Sequence, residues 1–329
     1  MGMKPSMIKE AVKVHYKAKQ PMFLWGGPGV GKSQVVKQAT EELEVNLIDL
    51  RAVLLDPVDL RGIPAVNGDM KAHWCPPAFL PYSGNGILFL DELPAAPPLV
   101  QAACYQLVLD RKLGEYNLPD GWLVLGAGNR ETDKAVVHRM PSPLANRFVH
   151  LDYEVDLDDW VEWALNHNIQ TEIISFIRFR PALLSAFDPM KNEKAFPTPR
   201  SWEFVSKLLN VSPSFDMEYN LFQGCVGNGA ATEFAAFMRI CRQLPDPDMI
   251  LMNPDREKVP TDPATLYAIC GALSARSSEQ TIPSIVKYGN RMPDEFSVLL
   301  IRDCVLRDKN VTRTRAYIEW ATKHKDVLI

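Results

Sequence analysis

Gly26-Gly27-Pro28-Gly29-Val30-Gly31-Lys32-Ser33 matches the phosphate-loop pattern G-x-x-x-x-G-K-[ST] at every position. Its flanks fit the pattern as well. Pro21 to Trp25 reads as a short buried strand, and Ser33 to Leu43 as a helix with Val35, Val36, Ala39 and Leu43 apolar. Glycines let such a loop turn its backbone N–H groups inward around phosphate oxygens. The helix behind it adds the positive end of its dipole. The expected nucleotide-holding set is Gly27, Pro28, Gly29, Val30, Gly31, Lys32, Ser33 and Gln34. Lys32 is expected to reach the β- and γ-phosphates of a bound nucleotide, and the Ser33 hydroxyl to ligate Mg²⁺.

Gly86-Ile87-Leu88-Phe89-Leu90-Asp91-Glu92 is the second informative stretch. Its apolar run fits a central parallel strand buried on both faces. Carboxylates at the C-terminal end of such a strand stand where α/β sheets place ligands. Downstream of a phosphate loop, Asp91 is the expected Mg²⁺ residue and Glu92 the expected residue that polarises the attacking water.

The remaining segments alternate strand and helix up to about residue 152. Asn46 to Leu50 and Trp122 to Asn129 read as strands, Pro97 to Leu109 as a helix, and Pro143 to Leu151 as a helical turn running into a last strand. This alternation predicts an α/β fold, the doubly wound parallel sheet of a P-loop NTPase. Val53 to Leu60 reads as an interrupted helix, followed by a hairpin within 60–76 with Asn67-Gly68 at its turn. Lys112 to Asp120 reads as a turn or small hairpin. Asn129 ends a buried strand and is a candidate to bond the γ-phosphate or the attacking water; a plain turn role is the alternative.

Beyond Asp152 the pattern becomes helical. Segments 155–166, 171–179, 197–210, 231–244, 264–274 and 293–306 carry helical spacing, and Pro245 to Pro263 reads as a proline-rich connector. The expected division is a nucleotide-binding domain over 1–152, an all-α lid over 153–244 and a helical C-terminal extension over 245–329. Arg200 opens a helix, where a cation opposes the dipole, which invites a role toward the nucleotide.

The 329 residues are 47% hydrophobic and 23% charged, with a net charge of −4. That balance fits a soluble cytoplasmic protein and makes nucleic acid an unlikely main partner. No apolar run has the length of a membrane span. The six cysteines form no C-x-x-C pair, so reduced and mostly buried thiols are expected.

With Gly26 to Ser33, Ile87 to Glu92, Asn129, Arg147 and Arg200 in this order, the chain resembles the AAA+ ATPases. The order is similar to that family's two Walker motifs, first sensor, arginine finger and second sensor. Asp56-Pro57-Val58-Asp59-Leu60-Arg61-Gly62, the hairpin near 61–75 and Leu144-Ala145-Asn146-Arg147-Phe148 look most like the MoxR branch. Two positions depart from it. Arg130 follows Asn129 where the branch usually has Pro, and Arg139 competes with Arg147 as the finger. The resemblance covers about residues 5 to 210. It implies a homo-oligomeric ring, a hexamer, with ATP between subunits, and a chaperone-like role beside a partner carrying a von Willebrand factor A domain. A structural ion pair of Arg147 with Asp152 or Glu154 is the alternative to a finger. A DNA-linked AAA+ motor or restriction/initiator-type NTPase is the alternative function.

Overall fold

The apolar runs on either side of the phosphate loop come together in one five-stranded parallel sheet. The computed structural model describes residues 2–66, 68, 70–133, 138, 140–191 and 193–324. The chain divides into two units, Met1–Asp156 with Phe187–Asn192, and Leu157–Ala186 with Glu193–Ile329.

The first unit begins with α1 (Pro5–Ala18), β1 (Met22–Trp25), α2 (Lys32–Glu42) and β2 (Asn46–Arg51). It continues with α3 (Pro57–Arg61), β3 (Ile63–Val66), β4 (Ala72–Cys75), β5 (Gly86–Asp91) and α4 (Pro98–Asp110). The short β6 (Lys112–Leu113) and β7 (Tyr116–Asn117), then β8 (Trp122–Gly128), α5 (Ser142–Ala145) and β9 (Val149–Asp152) complete it. The main sheet runs β2-β5-β8-β1-β9, every pair parallel. All seven residues of β8 are buried, as are the first five of β5, which is why both read as continuous apolar runs.

Helices cover both faces of the sheet, as expected for a doubly wound fold. Ile8, Val12, Val35, Val36 and Ala39 pack on one face with Leu24, Ile87, Phe89 and Leu125. Val100, Cys104, Leu107 and Leu60 pack on the other with Phe23, Leu88, Leu90 and Val124. The interrupted helix is a 3-10 turn at Ala52–Leu54 followed by α3. The break comes at Asp56, whose carboxylate accepts from Val58 N–H at 3.0 Å while its own N–H donates to Asp59 at 2.8 Å. β3 and β4 pair antiparallel from Ile63↔Cys75 to Val66↔Ala72. Asn67, read as part of the turn, lies outside the described residues.

The second unit holds α6 (Leu157–Asn166), α7 (Thr171–Phe179), α8 (Pro199–Asn210), α9 (Phe215–Arg242), α10 (Pro247–Met252), α11 (Pro263–Ser274), α12 (Ile282–Gly289), α13 (Asp294–Arg307) and α14 (Arg315–Lys323). Two details differ from the sequence reading. The helix expected over 231–244 is the second half of α9, whose first half ends at Gly227 with φ 81°. The proline-rich connector contains α10, whose Ile250 is fully buried in the C-terminal apolar cluster. The cysteines are all free thiols; Cys104, Cys270 and Cys304 are buried, Cys225 and Cys241 intermediate, and Cys75 exposed.

Arg178 of α7 and Asp303 of α13 form a bidentate ion pair, one arm at 2.6 Å, with the side chains 9% and 2% exposed. A buried pair broken on one side leaves an uncompensated charge. Asp303→Ala should therefore destabilise the protein by about 3–5 kcal/mol in urea unfolding. Replacing both partners by apolar residues should cost less than that single change.

Candidate functional site

Gly29 and Gly31 adopt φ of 70° and 106°, the left-handed region that side chains resist. These two turns bring the loop to the start of α2 at Lys32. Lys32 is 9% exposed. Its ammonium donates to Gly26 O at 2.7 Å, Gly27 O at 2.9 Å and Asn129 Oδ1 at 3.1 Å. Ser33 Oγ donates to Asp91 Oδ2 at 2.7 Å, and Glu92 N–H donates to Asp91 Oδ1 at 2.9 Å. Both carboxylate oxygens of Asp91 are thereby oriented.

The strand order explains why these residues meet. β8 lies between β1 and β5, with Gly128 in register with Trp25 and Gly126 with Leu90. Asn129, the next residue after β8, is thus set between the loop and the acidic strand end. Glu92 is exposed and left-handed at φ 56°, a conformation that costs a non-glycine residue roughly 1–2 kcal/mol. That kink turns the chain sharply off β5 into the 3-10 turn Leu93–Ala95. Strain held at such a position is characteristic of functional sites.

The donor set suits a small hard cation. A serine hydroxyl and a carboxylate are oxygen ligands of the kind Mg²⁺ prefers. Among the described residues, no group of three or more His, Cys, Asp or Glu could hold a metal. A cation at Ser33 and Asp91 would complete its shell with water and phosphate oxygens.

Gly27, Pro28, Gly29 and Val30 line the loop ahead of Lys32, and Gln34 is exposed on the first turn of α2. Arg147 is not brought to this cluster. It is exposed in the turn between α5 and β9, at the N-terminal end of a strand whose first residue pairs with the first of β1. The suggested partner Asp152 bonds Arg130 instead, Nε to Oδ1 at 3.3 Å. Arg200 belongs to the second unit, exposed in the first turn of α8, which Thr198 and Ser201 cap reciprocally. Arg139 lies outside the described residues.

The turn that carries Arg147 is tied to β1. Trp25 Nε1–H donates to His150 Nδ1 at 2.9 Å, so that nitrogen bears no proton. His150 Nε2–H then donates to Ala145 O at 2.8 Å.

Asp49 was not singled out from the sequence. It shares strand parity with Leu47, which packs on the α2 side, as Asp91 does with Ile87 and Phe89. The two carboxylates therefore lie diagonally on one face. Partial desolvation, then the like charge of Asp91, holds Asp49 above the ordinary carboxylate range even though the residue is exposed. A lone carboxylate inside the apolar run Leu47-Ile48-Asp49-Leu50 was the available signal.

No family model matches the chain, and no curated protein matches it. Solved structures similar to it include the Thermotoga maritima RuvB Holliday junction branch migration motor, at 17% identity over 82% of this chain and 81% of that one, TM-score 0.38. NtrX from Brucella abortus in complex with ADP is 14% identical over 98% of this chain and 68% of that one, TM-score 0.37. At these scores neither likeness bears on what this chain binds or does. The fold is that of a P-loop NTPase, and it rests on the chain's own strand order and loop.

The raised Asp49 carboxyl sets a pH dependence. Its charged form is disfavoured in the folded state, so the penalty is full above the folded pKa and absent below the unfolded value of about 3.9. Without divalent cation, Asp49→Asn should raise Tm at pH 8 and leave it unchanged near pH 3.

Proposed function

We propose that this chain is a Mg²⁺-dependent ATPase of the AAA+ class, acting in a ring of identical subunits to remodel a protein partner. The observation that carries this reading is the 2.7 Å hydrogen bond between Ser33 and Asp91, with Lys32 on Asn129 beside it. It joins the phosphate loop, the acidic strand end and the polar strand tip in one small volume.

Each side chain has a distinct task on this reading. The Lys32 ammonium exchanges the Gly26 and Gly27 carbonyls for phosphate oxygens when ATP enters the loop. Ser33 and Asp91 would hold Mg²⁺. The bound ion would supply neutralisation of the charge on the β- and γ-phosphate oxygens. Glu92, exposed at the strand end, takes the proton of the attacking water. Asn129 orients that water or a γ-phosphate oxygen.

Arg147 supports the ring. It stands at the sheet end opposite the loop, so its guanidinium serves a phosphate on a neighbouring subunit rather than its own. Segment 56–62, the β3–β4 hairpin and the 144–148 signature favour the MoxR-like branch. That branch in turn suggests a hexamer, a von Willebrand factor A-type partner and a chaperone-like role. No helix of the described residues is long and apolar enough to cross a membrane.

Two substitutions separate binding from chemistry. Lys32→Ala should weaken ATP binding in calorimetry by at least about tenfold, as befits loss of charge-assisted hydrogen bonds. Glu92→Gln should bind Mg-ATP but turn over at least about 10²-fold more slowly. Unchanged affinity in folded Lys32→Ala would overturn the site.

A mixing experiment tests the ring. Arg147→Ala and Lys32→Ala should each be inactive, and their mixture should regain activity at interfaces that pair an intact loop with an intact arginine. Mixed rings without activity would remove Arg147 from the shared site.

A further inference from the structure

Arg130 occupies the position after Asn129, and its side chain reaches across to the end of β9. Its Nε donates to Asp152 Oδ1 at 3.3 Å and its NH2 group to Tyr153 O at 3.1 Å. Its backbone is fixed as well. Arg130 N–H donates to Asp133 Oδ2 at 2.9 Å, and Asp133 N–H donates to Arg130 O at 3.0 Å, closing a turn. The guanidinium fork thus anchors the segment just past Asn129 to Asp152, the last residue of β9, and to Tyr153 after it.

Tyr153 is the wall behind the phosphate loop. It is 5% exposed. Its hydroxyl oxygen lies 3.4 Å from where a Cβ on Gly31 would stand, and its own Cβ 3.1 Å from that of Gly26. This wall does not depend on Arg130 for its place. Tyr153 N–H donates to Trp25 O at 2.7 Å, and Tyr153 bridges to Met3. The segment that Arg130 can release is therefore 129–133, not the wall.

We propose that Arg130 is a positioning residue: by clamping the segment after Asn129 to Asp152 and Tyr153, it fixes the Asn129 amide against Lys32 and the phosphate loop. A closed circuit results, running from the loop through Lys32 and Asn129 to Arg130, then through Tyr153 back to the loop. The energy of the exposed arm to Asp152 is small; side-chain exposures are 39% and 55%. Its contribution is geometric. A shift of about 1 Å in a positioned group can cost on the order of 10²-fold in rate. The consequence falls on turnover and not on nucleotide binding, because Lys32, Ser33 and the loop keep their own supports.

The inference rests on the ATPase reading for its effect on rate, and on geometry alone for its effect on the segment. The chain and its Arg130→Ala and Arg130→Lys variants are compared. In Arg130→Ala, kcat for ATP should fall about 10- to 100-fold. KM, ADP affinity by calorimetry and Tm should stay close to the parent. Arg130→Lys, which reaches one acceptor but not both, should recover part of the lost kcat without moving KM. A kcat within about twofold of the parent, or a fall matched by lost ADP affinity or lost Tm, overturns the proposal. If the parent itself hydrolyses no ATP, the ATPase reading falls, and amide exchange of residues 129–133 decides the clamp. Faster exchange in Arg130→Ala than in the parent supports it, and equal exchange overturns it.

Discussion

The hydrogen bond from Ser33 to Asp91 spans 58 residues of chain and fixes where everything else in the first unit must stand. For it to form, the C-terminal ends of β1 and β5 must point the same way, which only a parallel arrangement with crossover helices allows. β8 lies between them, buried along its whole length. Strand order thereby brings Asn129 between the loop and Asp91, where its amide meets Lys32. The apolar content of β5 and β8 and the polar cluster at their tips are two consequences of one topology.

What could be read from residues alone follows from how local each feature is. The phosphate loop, the acidic end of β5 and the amide after β8 are contiguous motifs, so spacing reveals them. Arg130, Tyr153 and Asp49 matter through register, which no contiguous pattern encodes. Arg130 stood out as a departure at one position, but its partners lie 22 and 23 residues away at the end of another strand. Asp49 breaks the apolar run of β2, but only pairing with β5 sets it diagonal to Asp91. Arg147 came from order along the chain, and Arg200 from that order and its place at a helix start. Order places a residue in a sequence of elements but does not give it neighbours.

The second unit shows the same divide between local and distant signals. Capping explains α8 and α11, whose Thr198 and Asp262 accept from the backbone N–H of Ser201 and Thr265. The proline-rich stretch misleads because prolines mark breaks but say nothing of what packs between them. Here Pro247 starts α10 and Ile250 inserts into the cluster with Leu266, Ile269 and Ile285. The Arg178–Asp303 pair is likewise invisible in composition, since each residue alone reads as a solvated charge. Burying both demands the bidentate geometry seen between α7 and α13.

The direction of the sheet bears on assembly as well as on chemistry. The loop follows the last residue of β1, whereas Arg147 precedes the first residue of β9, and the two strands pair from Met22↔Val149 to Trp25↔Asp152. Three residue steps of extended chain separate Val149 from Asp152, roughly 10 Å at about 3.3 Å per residue, and Arg147 lies in the turn before Val149. No arginine side chain spans that length while rooted at the far end. Parallel pairing therefore keeps this arginine away from its own phosphate loop however the local rotamers settle. On the proposed reading the same constraint is useful. A cation held outside its own site cannot promote hydrolysis in an isolated subunit, and it becomes effective when a second copy offers a loaded loop. The tie from Trp25 through His150 to Ala145 joins the end of β1, just before the loop, to the turn that presents Arg147. On the same reading, a change in the loop of one subunit would have a short covalent and hydrogen-bonded route to the arginine offered to its neighbour.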